Sequence, residues 1–263
     1  MEYPLISIVI PALNEIRTLP TLLDKVMKTR LSVSYEIILV DAGSSDGTRQ
    51  FIEKSTELYP TVPLFLANSS GKGEAVKAGM KIAKGKIILI QDADLEYDPS
   101  DFQRVIDPIL QGQTYFVLGS RSLGHKSWNF RSHETERIAM KILNLGSEFL
   151  RQFFCGLYGH EVSDPQTMYK VFVKDLIDPN SLESKHFDID WEILCKLIRM
   201  RIYPIEVPVS YKARGFKEGK KIKLIQDGIR ALIAIVKFRF KSEETFFPSS
   251  FLTESMKLKT EQG

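Results

Sequence analysis

The sequence predicts an α/β protein with a mostly parallel sheet flanked by helices, and three observations carry that expectation. Apolar strand-like runs alternate with amphipathic helical stretches through the first half of the chain, as they do when helices cross between parallel strands. Residues 87–90 are four consecutive aliphatics, the composition of a strand buried on both faces. Polar residues follow directly on three of these runs, and open α/β sheets bind ligands at the carboxyl ends of their strands.

Strands are expected, in order, at 6–10, 36–40, 63–66, 87–90 and 115–118, with helices near 19–28, 47–58, 73–83 and 99–110 between them. The last helix has a clear start: Asp98 offers a side-chain cap, Pro99 occupies the first helical position and Asp101 adds an early carboxylate. From Arg121 the alternation lapses into a basic, aromatic loop, then a long helical pattern over 134–154. A further helix is expected near 191–200 and a strand over 203–211.

In 222–240, Leu224, Ile225, Ile229, Leu232, Ile233, Val236 and Phe240 recur at roughly helical spacing, interrupted by Asp227, Arg230 and Lys237. A membrane span needs about 18 or more nearly uncharged residues, so this stretch is not one. It reads either as an interfacial amphipathic helix, with Phe246, Phe247 and Phe251 as further anchors, or as a helix docked on the protein's own core or a partner. No internal repeat or low-complexity linker divides the chain, which reads as one domain over 1–215 with a basic appendage over 216–263.

With 43% apolar and 26% charged residues in 263, the chain has ordinary globular composition and can bury a substantial core. Cys155 and Cys195 lie far apart and outside metal-ligand spacing, so neither a disulfide framework nor a zinc site is expected. No basic region followed by an apolar core precedes the first strand, which argues against a secretory leader and for a cytoplasmic chain. The net charge is +3, yet ten basic and two acidic residues fall between Tyr211 and Lys241, leaving about −5 for the rest. Such a patch attracts phosphates, including lipid head groups. No nucleic-acid recognition module accompanies it, so nucleic acid is not expected as a partner.

The chemistry concentrates at Gln91-Asp92-Ala93-Asp94-Leu95-Glu96. Alternate residues of an extended backbone point the same way, so Asp92 and Asp94 share a face where the strand emerges. Paired hard oxygens suit Mg²⁺ or Mn²⁺ bridging a diphosphate. The first strand ends in Pro11-Ala12-Leu13-Asn14-Glu15 and the second in Asp41-Ala42-Gly43-Ser44-Ser45-Asp46. Asn14, Ser45 and Asp46 are either helix caps or ligand contacts. Asp41 can accept N–H groups of a nucleobase, and the small turn with Ser44 admits a ribose or ring closely. Gly71-Lys72-Gly73 is either a loop-to-helix junction or a backbone approach to a nucleotide with Lys72 supplying charge. Arg121, after the fifth strand, suits bidentate phosphate recognition or a surface ion pair.

These motifs, in this order, resemble the family 2 glycosyltransferases of GT-A fold. Gly119-Ser120-Arg121, Ser163-Asp164-Pro165-Gln166-Thr167-Met168-Tyr169-Lys170 and the stretch from Tyr211 to Lys221 look most like the dolichol-phosphate (polyprenyl-phosphate) sugar transferases. The resemblance implies a Rossmann-like nucleotide-binding half, C-terminal amphipathic helices and an inverting transfer of a hexose from a GDP- or UDP-linked sugar to a lipid phosphate. It implies Pro11, Asn14, Glu15, Asp41, Ser44, Lys72 and Asp92 as donor-binding residues, and Asp92, Asp94 and Glu96 as metal ligands. Arg121, Arg131, Arg137, Lys220 and Lys221 become candidates for the acceptor phosphate.

Asp94 and Arg121 are then expected to serve catalysis. A lipid phosphate needs positioning rather than deprotonation; for a hydroxyl acceptor, Asp164 is the first choice of general base, with Asp188 or Asp190 behind it. The chain departs from the family at Ala42, where a second acidic residue is usual, and at Met168, where a glycine is usual. These departures bear on base binding and acceptor geometry. The location implied is peripheral, at the cytoplasmic membrane face, through lipid contact or a membrane partner protein. A saccharide acceptor, or a non-catalytic nucleotide-sugar-binding subunit, is the alternative.

Overall fold

The computed structural model describes residues 4–67, 71–123, 137–214 and 224–242. The expected elements of the first half form: β1 (Ile6–Ala12), α1 (Leu19–Lys28), β2 (Tyr35–Asp41), α2 (Thr48–Leu58), β3 (Thr61–Phe65), α3 (Lys72–Ile82), β4 (Ile87–Ile90), α4 (Phe102–Leu110) and β5 (Phe116–Ser120). The start of the 99–110 helix is a 3₁₀ turn, Pro99–Asp101, in which the Asp98 side chain accepts the Ser100 N–H. Beyond it come α5 (Arg137–Tyr158), β6 (Lys170–Val173), α6 (Ile189–Arg199), β7 (Ile205–Pro208) and α7 (Leu224–Phe240).

Among the described residues the strands form one seven-stranded sheet in the order β3-β2-β1-β4-β6-β5-β7. β1 pairs in parallel with both β2 and β4, β2 with β3, and β5 with β7. The chain winds outward from β1 through β2 to β3 and then returns to β4 on the other side of β1. That reversal opens a crevice at the carboxyl ends of β1 and β4, the switch point where such sheets take ligands. Ile87, Ile88, Leu89 and Ile90 are all buried, as their unbroken apolar run requires.

β6 departs from expectation. It inserts antiparallel between β4 and β5, within a stretch read only as a motif. Lys170 at its head is fully buried, and in sequence a lysine reads as surface.

α5, α6 and α7 pack together beside the sheet. Ala231, Ala234, Ile235 and Phe238 of α7 face this core, while Ile225, Ile229, Ile233 and Phe240 are exposed. The inner face of this helix is thus docked on the protein's own core, and its outer face keeps apolar side chains exposed. No described helix is long and apolar enough to cross a membrane.

Gly119 in β5 is set by packing: a Cβ there would lie 2.7 Å from Tyr169 Cβ and 2.8 Å from Val209 Cγ1. Gly119→Ala is expected to destabilise the fold by about 1–3 kcal/mol through overpacking. A urea midpoint equal to that of the wild type would contradict this.

Candidate active site

A cavity of 620 Å³ opens at the switch point, bounded by Pro11, Glu15, Lys72, Asp92, Asp94, Glu96, Arg121, Met168, Asp190 and Arg214 among others. The end of β1 supplies Glu15 and the end of β4 supplies Asp92, Asp94 and Glu96. Leu95 sits at φ 62°, a left-handed conformation that costs a non-glycine residue of the order of 1 kcal/mol or more. The turn is held by Asp94 Oδ1 accepting the Glu96 N–H at 3.0 Å.

Two side-chain cations divide these carboxylates. Lys72 Nζ lies 3.6 Å from Asp92 and 2.9 Å from Asp190, and contacts the Met168 sulfur. The Arg214 guanidinium reaches Asp94 at 2.9 Å, Glu15 at 3.3 Å and Glu96 at 3.8 Å. Burial, together with Asp94, Asp190 and Glu96, pushes the Asp92 carboxyl up to about 7 despite Lys72. Burial and the Glu96 charge raise Asp94 as well, against the pull of Arg214.

Crowded carboxylates in a cleft demand positive charge, and hard oxygen donors suit Mg²⁺ or Mn²⁺, so the residues fit a divalent ion. Among the described residues no three ligand groups stand grouped ready for one. Glu96 is also engaged by Tyr211 Oη at 2.6 Å and the Arg214 N–H at 2.8 Å.

Across the cavity, Arg121 is clamped by Asp164. Its backbone N–H, Nε and Nη2 donate to the Asp164 carboxylate at 2.9, 2.7 and 2.7 Å, and its guanidinium lies 5.0 Å from the Tyr211 ring centre. Glu206 of β7 in turn accepts the Ser163 N–H at 2.9 Å and orders the turn before Asp164. Asp164, the first choice of general base for a hydroxyl acceptor, is 2% exposed with both oxygens on Arg121. Asp188 accepts the His186 N–H near the start of α6. Of the three aspartates, Asp190 is the one that lines the cavity.

The residues at the ends of β1 and β2 bind mainly each other. Asn14, at φ 53°, donates its N–H to Ser44 Oγ and accepts the Ser45 N–H at 2.8 Å. Asp41 is fully buried, and its oxygens accept the Gly43 and Ser44 N–H groups. These three shape the turn behind the cavity, whereas Pro11 and Ala42 line it. The glycines flanking Lys72 answer to protein: a Cβ on Gly73 would meet Ser184 O at 2.5 Å, and one on Gly71 would collide with Lys185 and His186.

Arg131, Lys220 and Lys221 lie outside the described residues, as does the side chain of Arg137, which begins α5. Sequence reasoning passed over Phe187, Gln166 and Arg230 as cavity residues. Gln166 lies in the 163–170 motif and Arg230 in the amphipathic stretch, but no strand end places either at the cavity, and no local signal marks Phe187. Arg214 belongs to the stretch from Tyr211 to Lys221 that carries the family resemblance, but no role was expected of it.

The family model for glycosyl transferase family 2 matches residues 7–176. The chain belongs to this family. A dolichyl-phosphate beta-glucosyltransferase of Dictyostelium discoideum is 30% identical over 90% of this chain and 74% of its own. An undecaprenyl-phosphate 4-deoxy-4-formamido-L-arabinose transferase of Aeromonas hydrophila is 31% identical, over 67% of this chain and 51% of its own. The chain thus spans between about half and three quarters of these relatives' length. Glucosyl-3-phosphoglycerate synthase from Mycobacterium tuberculosis, solved with Mn²⁺, UDP and phosphoglyceric acid, superposes with a TM-score of 0.67 at 18% identity, over 94% of this chain and 80% of that one. The shared fold is GT-A.

One buried charge behind the cavity residue Asp190 has a measurable signature. Lys170 donates to the Pro165 and Thr167 carbonyls and lies 3.8 Å from Asp190. Burial pushes its ammonium down to about 8, with Asp190 opposing. The unfolded chain, with a lysine near 10.4, therefore binds more protons between the two values, so this group makes stability rise with pH across that window. In urea unfolding, the difference between wild type and Lys170→Met is expected to shift towards the wild type from about pH 7 to about pH 9.5. A difference independent of pH would refute the assignment.

Proposed function

We propose that this protein transfers a hexose, with inversion, from a GDP- or UDP-linked sugar to a polyprenyl phosphate. The observation that carries the reading is the opposition, across one cavity, of the carboxylates Asp92 and Asp94 to the clamped guanidinium of Arg121. Support comes from relatives named as dolichyl- and undecaprenyl-phosphate sugar transferases and from the Mn²⁺ and UDP in a structure of the same fold.

Asp92 and Asp94 would hold a divalent ion, which would supply positive charge for the departing nucleoside diphosphate. Glu15 and Pro11 bound the donor side of the cavity, and Lys72 adds a cation beside Asp92. Arg121, rigid on Asp164, orients an acceptor phosphate that is already ionised and needs no base. Arg131, Arg137, Lys220 and Lys221 remain further candidates for that phosphate. In this reading residues 1–215 are the transferase domain. The appendage over 216–263, with the exposed face of α7, rests on the cytoplasmic face of a membrane or on a membrane partner.

A labelled panel of UDP- and GDP-sugars, assayed with Mn²⁺ or Mg²⁺ against polyprenyl phosphate and against soluble saccharides, tests the proposal. Transfer to the lipid is expected, and transfer confined to saccharides would overturn the acceptor assignment. Asp92→Asn is expected to lower turnover by about 10²-fold or more while retaining the fold; undiminished turnover removes the metal from the mechanism. Arg121→Lys keeps charge but loses the fork, and is expected to raise KM for the lipid phosphate well above any change in donor KM.

A further inference from the structure

Arg214 occupies the centre of the acidic cluster. Its Nη2 donates to Asp94 at 2.9 Å and to Glu15 at 3.4 Å, and Nη1 reaches Glu15 at 3.3 Å. Its own N–H donates to Glu96 at 2.8 Å, and Nε is buried without a hydrogen-bond partner. The backbone before it is tied to the same turn: Lys212 N–H donates to the Glu96 carbonyl, and Tyr97 and Tyr211 form an antiparallel bridge. One guanidinium thus serves carboxylates from the ends of two adjacent strands. Asp94 and Glu96 are also residues expected to ligate a divalent ion.

We propose that Arg214 is a resident cation that competes with the divalent metal for Asp94 and Glu96 and releases them when donor binds. The inference rests on the functional reading above. A carboxylate oxygen held at 2.9 Å by a guanidinium has its lone pairs directed at N–H groups, and a hard ion must displace them to coordinate. Displacement alone leaves the arginine with Glu15 as its one remaining carboxylate of the three, at 3.3 Å in a partly buried place, which is costly. A nucleoside diphosphate supplies the missing anion, so the guanidinium exchanges carboxylates for phosphate. Metal and donor then bind with positive coupling, and the coupling is reciprocal. Lys72 holds Asp92 and Asp190 independently of this exchange.

The test is Mn²⁺ titration of the full chain by electron paramagnetic resonance, with and without UDP. Wild type is expected to bind Mn²⁺ weakly alone and about tenfold or more tightly with UDP. Arg214→Gln is expected to bind Mn²⁺ alone about tenfold tighter than wild type and to lose most of the gain from UDP.

Glu15→Gln separates displacement from a general change of field. Removing a negative charge weakens cation binding by field alone, whereas loosening Arg214 strengthens it. Tighter Mn²⁺ binding in Glu15→Gln supports exchange, and it carries the test if Arg214→Gln does not fold. Weaker or unchanged binding in Glu15→Gln, or unchanged binding in a folded Arg214→Gln, overturns the inference while leaving the transferase reading intact. If no Mn²⁺ binds to any of the three proteins even with UDP, the metal reading fails and this inference falls with it.

Discussion

Mutual repulsion of carboxylates at the ends of β1 and β4 is the constraint around which this site is organised. Glu15, Asp92, Asp94, Glu96 and Asp190 all line one cavity. At an effective dielectric near 20, two unit charges about 4 Å apart interact by roughly 4 kcal/mol, so five acidic groups in one cleft require cations. Lys72 and Arg214 supply them from distant parts of the chain. Lys72 comes from the first turn of α3 and Arg214 from the segment after β7. Burial first, and the neighbouring carboxylates after it, move Asp92 and Asp94 upward from ordinary carboxylate values.

The rest of the fold serves that arrangement. Parallel pairing of β1 with β4 brings Glu15 near Asp94. Inserting β6 antiparallel between β4 and β5 separates Arg121 from the carboxylates by a strand, so that cation and anions face each other across the cavity. The buried Lys170 lies at the start of that inserted strand. Glu192 of α6 does comparable work in the buried interior: it accepts the Glu183 and Ser184 N–H groups and pairs with Lys196 at 2.8 Å. That holds the loop against which Gly71 and Gly73 pack, and through them the start of the helix bearing Lys72.

Arg121 forms one unit with a carboxylate that was expected to act apart from it. Its placement after the fifth strand marked it as a phosphate ligand, and it does line the cavity. Asp164 looked equally available as a base, yet its bidentate pairing spends both oxygens on orienting the arginine. Met168, a departure from the family's glycine, sits 2% exposed with its sulfur against Lys72. The larger side chain therefore fills cavity wall beside the cation. α7 joins the site to the surface, since Gln226, Asp227 and Arg230 border the cavity while Ile225, Ile229 and Ile233 of the same helix face outward.

Local pattern alone determined the β1 to β5 alternation, the caps at Asp98 and the position of Asp92 and Asp94 at a strand end. Each of these depends on neighbours in sequence: side-chain period, turn chemistry and runs of buried aliphatics. Tertiary structure decided what no local window contains. It placed β6 within the sheet, turned Asp164 onto Arg121, buried Asp41 and set Arg214 among carboxylates from Glu15 to Glu96. The physical reason is that charge compensation in a cleft acts through space. A guanidinium 118 residues from Glu96 lies within 4 Å of it only after the sheet has closed.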